Sequence, residues 1–203
     1  HPGERRPGLR AVSANTGNWV RWQAPELIGW SAARLAEARA FSGTIKLTPA
    51  QVSAGAALLP SEPKMTGENR VWYSFGSIHR AFLEGNDAAV ATGVDAIKSV
   101  LVVLTTADDG IQVDQTFYQH STQIYNGGYG LQLISDISKW VGILAGTALN
   151  IDGSAKAVLD NLVLDGTGWM QWHGQIDYST MGRNLARTGT GNESSLLRTS
   201  LNR

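Results

Sequence analysis

The sequence predicts an all-α domain of antiparallel helical hairpins, and two observations support that prediction. Six segments carry apolar residues at helical spacing, and glycine, proline or capping residues bound several of them. The segment 100–106 is rich in β-branched residues, but it continues a helical pattern and has no partner run nearby, so few strands are expected. Helices joined by short loops pack as antiparallel neighbours.

The six predicted helices follow one another between residues 28 and 164. The first stops at Gly43, the second opens at Thr48-Pro49 with a capping residue and a first-turn proline, and Gly85-Asn86-Asp87 breaks the third. A long loop that contains His120 separates the fourth helix from the fifth. The predicted ranges are 28–41, 48–60, 68–83, 88–104, 129–144 and 154–164.

The composition describes one globular domain with balanced charge. The chain has 203 residues, of which 42% are hydrophobic, so it can bury one sizeable core. The 17 basic and 17 acidic side chains cancel without long blocks of either sign, which argues against a nucleic-acid binder, although an anionic substrate needs only a few local cations. No apolar run is long enough for a membrane span, and the lack of cysteine excludes disulfides and thiolate metal sites.

The segment Asp109–Gly130 is the most informative part of the chain because it places His120 and Tyr129 nine residues apart. On one continuous helix, nine steps of about 100° would put these two side chains on opposite faces. The residues Asn126-Gly127-Gly128 accept sharply turned backbone, so we expect the chain to fold back there and bring both side chains to one point. An imidazole and a phenol so arranged form a proton-transfer pair.

Other polar residues have ordinary explanations when each is taken alone. Asn69, at the start of the third predicted helix, is of a type that more often caps a helix than takes part in catalysis. Arg183 and Arg187 are four residues apart and would share a helix face, where a solvated surface is the usual explanation. His79 and His173 lie too far from His120 in the sequence to suggest a metal site.

In combination, three blocks of the sequence resemble polysaccharide lyase family 8, the family of hyaluronan, chondroitin and xanthan lyases. The blocks are Thr66–Arg70, Asp109–Gly130 and Asp177–Arg187, and the intervals between them also agree with the family. The resemblance implies that the all-α domain is part of an incomplete (α/α) toroid. The prolines, glycines and arginines of residues 1–18 suit an irregular lead-in. The resemblance implies a partial catalytic helical domain over 19–187, and a polar tail or the start of a missing segment over 188–203.

The resemblance assigns roles to individual residues. Arg187 matches a second arginine of the family's cleft, and the segment Asn18–Trp22 resembles its Asn-Trp motif, whose aromatic rings stack on sugars. Trp19 and Trp22 are therefore expected to bind substrate, although core packing explains them equally well. Asn126, inside the matched loop, is expected to bind substrate too. The residues that match the catalytic set are Asn69, His120, Tyr129 and Arg183.

The implied reaction is metal-independent β-elimination on a 4-linked uronic-acid polysaccharide, with no cofactor. The Asn69 amide suits a donor to the substrate carboxylate, on which negative charge grows. Tyr129 is the preferred acid, and either His120 or Tyr129 is the base. The expected partner is the anionic polysaccharide, which is hyaluronan, chondroitin, xanthan or a related glucuronide, and neither nucleic acid nor a membrane. The implied location is secreted or extracellular.

Two alternatives remain open at this point. Family members have a longer helical domain and additional β-sandwich domains, so we expect this chain, which begins at His1, to be a fragment or to be completed by further chains or domains. It could then be a non-catalytic carbohydrate-binding remnant. A glycoside hydrolase on an α/α toroid would need two carboxylates, for which the candidates are Asp109, Asp114 and Asp177.

Overall fold

The computed structural model of the chain describes residues 48–186 and Leu197. Over this part of the chain the structure is mostly helical, and the predicted all-α class is confirmed. The first predicted helix, 28–41, lies outside the described residues. The α-helices are α1 Pro49–Ala57, α2 Gly67–Glu84, α3 Asp87–Lys98, α4 Leu131–Leu144 and α5 Gly153–Asn161.

The helix α1 begins as the sequence predicts. The Thr48 hydroxyl accepts from the Gln51 backbone N–H at 3.3 Å, and the Gln51 side chain accepts from the Thr48 N–H at 2.9 Å. This reciprocal pair is a capping box, and Pro49 occupies the first helical position, where its missing N–H costs nothing.

The fourth predicted helix ends earlier than expected. It was predicted to reach residue 104, but α3 ends at Lys98, and Val103–Leu104 forms a short strand, β1. This strand pairs in parallel with β2, Gly110–Gln112, which pairs antiparallel with β3, Phe117–Tyr118. The prediction for 100–106 was wrong because the partner strand has only three residues, too few to show alternation in the sequence.

The chain divides into two compact units by its internal contacts. Among the described residues, the first unit contains 48–63 and 72–93, and its small core includes Ala56, Leu59 and Leu83. The second unit contains 64–71 and 94–186. It therefore holds every predicted catalytic residue, namely Asn69, His120, Tyr129 and Arg183.

The helix α4 forms much of the core of the second unit. Its buried face contains Leu133, Ile137, Trp140 and Leu144, as its helical periodicity predicts. After α5 the chain continues through a π-helical turn, Leu162–Gly166, and a 3-10 turn, Thr167–Met170. The hairpin of β4 and β5 and two further 3-10 turns then lead to Arg183. These elements are Gln171–Trp172, Gln175–Ile176, Tyr178–Thr180 and Gly182–Ala186.

No helix among the residues described here is long and apolar enough to cross a membrane.

A carboxyl group is buried at the start of α2. Glu68 is fully buried, and the Asp136 carboxylate of α4 lies beside it. Asp136 also accepts from Lys139 Nζ and Gln132 Nε2, each at 3.0 Å. Burial, and then the Asp136 charge, raise the pKa of Glu68 well above its usual value, whereas Lys139 acts in the opposite direction. At pH values between the unfolded and the folded pKa, the folded chain therefore holds a proton on Glu68 that the unfolded chain releases.

This proton makes stability depend on pH. Folding raises the pKa of Glu68, so the bound proton adds to the free energy of unfolding. This contribution is fully present below the ordinary glutamate range and is lost as pH rises through the folded pKa. Glu68→Gln, which cannot ionise, should flatten the fall in the free energy of unfolding over that window, as measured by urea unfolding at several pH values. Glu84→Gln is the control, because Glu84 is more exposed and pairs with Arg80 on the surface. An unchanged pH slope in Glu68→Gln would contradict the assignment.

Candidate active site

The loop that carries His120 reverses direction directly after β3. Tyr118 and Ile124 form an antiparallel bridge, and the Tyr125 N–H donates to the Phe117 carbonyl at 2.7 Å. His120 and Ser121 make this reversal possible with φ angles of 59° and 72°, in the left-handed region. The reversal was predicted at Asn126-Gly127-Gly128, but those residues belong to a π-helical turn, Asn126–Gly130, that leads into α4.

Three rings meet beside this reversal. The His120 and Tyr129 ring centroids are 5.1 Å apart with an interplanar angle of 87°, and the Tyr125 and Tyr129 centroids are 4.9 Å apart. The His120 and Tyr125 centroids are 6.3 Å apart. The imidazole and the phenol that the sequence pairs for proton transfer are thus neighbours, and Tyr125, which was not among the predicted site residues, packs against both.

Arg183 approaches the same imidazole. Its Nη2 lies 2.5 Å from His120 Nε2. A guanidinium has only donors, so Nε2 must accept and the ring proton must be on Nδ1. Burial lowers the pKa of His120, the Arg183 charge lowers it further, and the Asp109 carboxylate acts in the opposite direction. The neutral form of His120 therefore persists to lower pH than that of an ordinary imidazole.

Tyr125 also holds the turn on which Arg183 lies. Its hydroxyl donates to Asn184 Oδ1 at 3.0 Å. Gly182, next to Arg183, has a φ of 51°, and a Cβ at this position would overlap the Tyr125 ring. The positive φ and the close approach of the ring both require a glycine at position 182.

Asn69 does not act as a helix cap in this structure. It is the third residue of α2, its side chain is 4% exposed, and its Oδ1 accepts no hydrogen bond from the described residues. A capping asparagine would accept from a first-turn N–H through that oxygen. A buried amide oxygen without a partner is uncommon, and such exceptions often mark functional groups.

A glutamine joins the start of α2 to the His120 loop. Gln119 is fully buried, and its Oε1 accepts from the Glu68 N–H at 3.0 Å. The residue before Asn69 is thereby bonded to the residue before His120. The structure thus brings His120, Tyr129 and Arg183 into direct contact and ties the Asn69 helix to them. Arg187, Trp19 and Trp22 lie outside the described residues.

Asn126 has a structural role in this geometry. It is fully buried, its Oδ1 accepts from the Phe117 N–H at 2.7 Å, and its Nδ2 donates to Gln115 O and Thr167 Oγ1, each at 3.2 Å. These bonds fasten the π-helical turn to β3 and to the 3-10 turn that begins at Thr167. Its predicted contact with substrate gains no support, because the amide is already occupied and is not exposed.

The candidate hydrolase carboxylates all accept hydrogen bonds within the protein. Asp114 accepts from the Thr116 backbone N–H and hydroxyl, and Asp177 accepts from those of Ser179. These bonds lower the pKa of Asp114 and the pKa of Asp177, so neither is suited to be the general acid of a hydrolase. Asp109 accepts three hydrogen bonds, from Thr66, Gln119 and Ser121.

Residues 48–186 contain no group of three or more histidine, aspartate or glutamate side chains arranged to hold a metal ion. The expectation that the chain needs no metal or cofactor remains a prediction.

Sequence reasoning missed four residues of this site, which are Tyr125, Gln119, Asp109 as a structural group, and the buried Glu68. The sequence contained one indication of the buried Glu68–Asp136 pair, because Asp136 lies among the apolar residues of α4.

Comparisons with known proteins identify the family of this chain. Residues 31–199 match the family model for polysaccharide lyase family 8, N terminal alpha-helical domain. Hyaluronate lyase HylB of Cutibacterium acnes is 31% identical over 129 residues, which cover 63% of this chain and 16% of that protein. The chain thus spans less than a fifth of the length of this relative.

Two solved structures share the fold. The Paenibacillus xanthan lyase has a TM-score of 0.69 and 24% identity, over 93% of this chain and 21% of that one. The Streptomyces coelicolor chondroitin AC lyase in complex with chondroitin sulphate has a TM-score of 0.71 and 21% identity, over 91% of this chain and 27% of that one. Since the family model covers most of the sequence, the chain belongs to polysaccharide lyase family 8 and represents part of its N-terminal α-helical domain.

Proposed function

We propose that this chain supplies catalytic residues for β-elimination on a 4-linked uronic-acid polysaccharide. The observation that carries the proposal is the cluster in which a neutral His120 contacts both Tyr129 and Arg183. A neutral base, a phenolic acid and a cation for a carboxylate are the groups that this elimination needs in one place.

The reaction removes the proton at C5 of the uronate and breaks the bond between C4 and the glycosidic oxygen. The C5–H electrons form the new C4–C5 double bond, and the departing oxygen takes a proton, so no water is consumed. The C5 proton is weakly acidic because the neighbouring carboxylate must accept further negative charge. Stabilising that charge is the main task of the site.

Arg183 and Asn69 are the groups that stabilise the carboxylate in this proposal. The guanidinium of Arg183 is exposed, so a uronate can reach it and bind through two parallel N–H bonds. Arg187 would add a second cation. The Asn69 amide supplies two N–H donors, which suit a substrate carboxylate.

The Arg183 contact bears on the role of His120. While Nη2 of Arg183 donates to His120 Nε2, the lone pair of that nitrogen is not available to a substrate proton. A uronate that takes over the guanidinium would release Nε2 for proton transfer. Tyr129 donates to the departing oxygen, and the base is His120 after this release, or Tyr129 itself.

The proposed substrates are taken from the similar proteins. Two of these are a hyaluronate lyase and a xanthan lyase, and the third is a chondroitin AC lyase whose structure contains chondroitin sulphate. Each of these polymers presents a carboxylate beside a 4-linkage. Trp19 and Trp22 are proposed to stack on the sugars, and β-sandwich domains of the same enzyme to complete the cleft. A secreted location would give the protein access to such polymers.

The test of this function uses the full-length protein and a panel of hyaluronan, chondroitin and xanthan. Unsaturated uronate ends absorb in the ultraviolet, so a lyase produces that absorbance in step with chain cleavage. New reducing ends without the absorbance would identify a hydrolase. Binding without cleavage of any polymer would identify a non-catalytic remnant, and either result would refute the proposal.

The hydroxyl of Tyr129 should be essential for turnover. Tyr129→Phe keeps the ring that packs on His120 and Tyr125 and removes only the acid, so we expect kcat to fall by roughly 10² to 10⁴ with polymer binding nearly unchanged. Tyr73→Phe, the same change in the first unit, is the control for the loss of a hydroxyl. Lost binding with normal turnover of bound substrate would instead make Tyr129 a sugar platform.

The amide of Asn69 should matter for turnover and little for stability. Asn69→Ala removes an oxygen that accepts no hydrogen bond, so stability should hold while kcat falls by about 10² to 10³. Asn69→Asp should be at least as damaging because it repels the substrate carboxylate.

The matched control is Asn86→Ala, because Asn86 does cap a helix by accepting from the Ala89 N–H at 3.0 Å. It should lose about 0.5–2 kcal/mol of stability and keep its turnover. A folded Asn69→Asp protein with normal kcat would show that the amide has no catalytic role.

A further inference from the structure

The carboxylate of Asp109 lies where two of the three sequence blocks meet. Its Oδ2 accepts from Thr66 Oγ1 and from Gln119 Nε2, each at 2.8 Å, and its Oδ1 accepts from the Ser121 backbone N–H at 2.9 Å. Thr66 precedes α2, whereas Gln119 and Ser121 lie on either side of His120. One side chain thus bonds to the two neighbours of the imidazole residue and to the entry of the Asn69 helix.

The bonds on the His120 side hold an unfavourable backbone conformation. His120 and Ser121 both have positive φ, and such a conformation in residues other than glycine persists only where the surroundings enforce it. The bond from the Ser121 N–H to Asp109 fixes the chain directly after His120, and the bond from Gln119 fixes it directly before. Asp109 therefore enforces the conformation that aims the imidazole.

The bonds on the other side fix the start of α2. Gln119 Oε1 accepts from the Glu68 N–H while its Nε2 donates to Asp109, so Asp109 determines which way the Gln119 amide faces. Gly67 has a φ of 52°, and a Cβ there would overlap the Gln119 side-chain oxygen. The approach of Gln119 to the helix start is therefore tight, and Asn69 is two residues from Gly67.

Asp109 also carries the negative charge that opposes Arg183 at the imidazole. The groups that face His120 include Arg183 from the 3-10 turn, Asp109 from the segment before β2, and the rings of Tyr125 and Tyr129. Burial and Arg183 lower the pKa of His120, whereas Asp109 raises it. Removing this carboxylate would leave the imidazole facing a cation without its counter-charge.

We propose that Asp109 is a positioning residue for the elimination reaction, which fixes the backbone around His120 and joins it to the helix that carries Asn69. This inference rests on the proposed function. Through Asp109 the first and second blocks of the sequence are in direct contact, since the Thr66 hydroxyl donates to its carboxylate.

Asp109→Asn in the full-length protein is the test, and Asp108→Asn is its matched control. Asparagine keeps the shape of Asp109 but has one acceptor oxygen, so it cannot satisfy all three donors in place. Asp108 is adjacent, is exposed, and accepts from the Thr106 hydroxyl at 2.7 Å. We expect kcat of Asp109→Asn to fall roughly 10- to 100-fold with little change in KM, because misplacement of a reacting group affects the chemical step.

The pH dependence separates positioning of His120 from a general loss of structure. Without the Asp109 charge the pKa of His120 should fall, so the acid limb of kcat/KM should move to lower pH, and an NMR titration of the His120 ring should move the same way. Asp109→Glu keeps the charge but misplaces its oxygens, so it should lose rate without that shift. Asp108→Asn should match the wild type in every measurement.

Two results would overturn the inference: an Asp109→Asn protein whose kcat matches that of Asp108→Asn, or one whose His120 titration is unchanged. If the wild type forms no unsaturated product, the proposed function fails, and the NMR titration, which needs no activity, still decides whether Asp109 acts on His120.

If Asp109→Asn does not fold, Thr66→Val is the second variant, because it removes only one of the three donors to Asp109. It should show a smaller loss of kcat with no change in KM, and a wild-type kcat there would overturn the inference.

Discussion

The contact between Arg183 and His120 determines the chemistry of this site. It joins residues that are 63 positions apart in the chain, and it requires that His120 Nε2 accept. Partial burial and the guanidinium charge lower the pKa of His120 and so favour the neutral imidazole, whose Nε2 is occupied as long as Arg183 donates to it. The same guanidinium is exposed enough to meet an anionic substrate. A uronate that binds there would change the environment of the imidazole at the moment when proton transfer is needed.

Tyr125 keeps that contact in place. It is almost fully buried, stacks on Tyr129, and bonds to Asn184 directly after Arg183. A hydrogen bond of this kind contributes only about 0.5–1.5 kcal/mol to stability in net terms. The packing of the buried Tyr125 ring is therefore the larger contribution to holding this turn in place. At the start of α2, Asn69 and Glu68 are buried in ways that do not favour stability. Such local costs are typical of binding and catalytic sites.

The sequence could predict the fold class, the course of α2 and α4, and the pairing of His120 with Tyr129. Those features follow from long-range periodicity and from residue chemistry, which leave clear patterns. It could not locate the reversal at His120 and Ser121, because a positive φ is uncommon in residues other than glycine and the bond from the Ser121 N–H to Asp109 is not visible in the sequence. Nor could it find β1 and β2, whose pairing is too short for a pattern. The roles of Asp109, Gln119 and Tyr125 depend on contacts between distant segments. Asn126 seemed a binding residue from its place in the loop, but its burial could only be seen in three dimensions.

In the proposed function the three sequence blocks form one site for a single uronate group. A crystal structure of the full-length Tyr129→Phe protein with a bound uronic-acid oligosaccharide is the decisive test, because the variant should bind substrate and not consume it. We expect one uronate carboxylate within hydrogen-bond distance of the Asn69 amide and the Arg183 guanidinium, with C5 facing His120 and the ring at position 129. A carboxylate bound away from Asn69 and Arg183, or a sugar on the far side of the His120 ring, would contradict it.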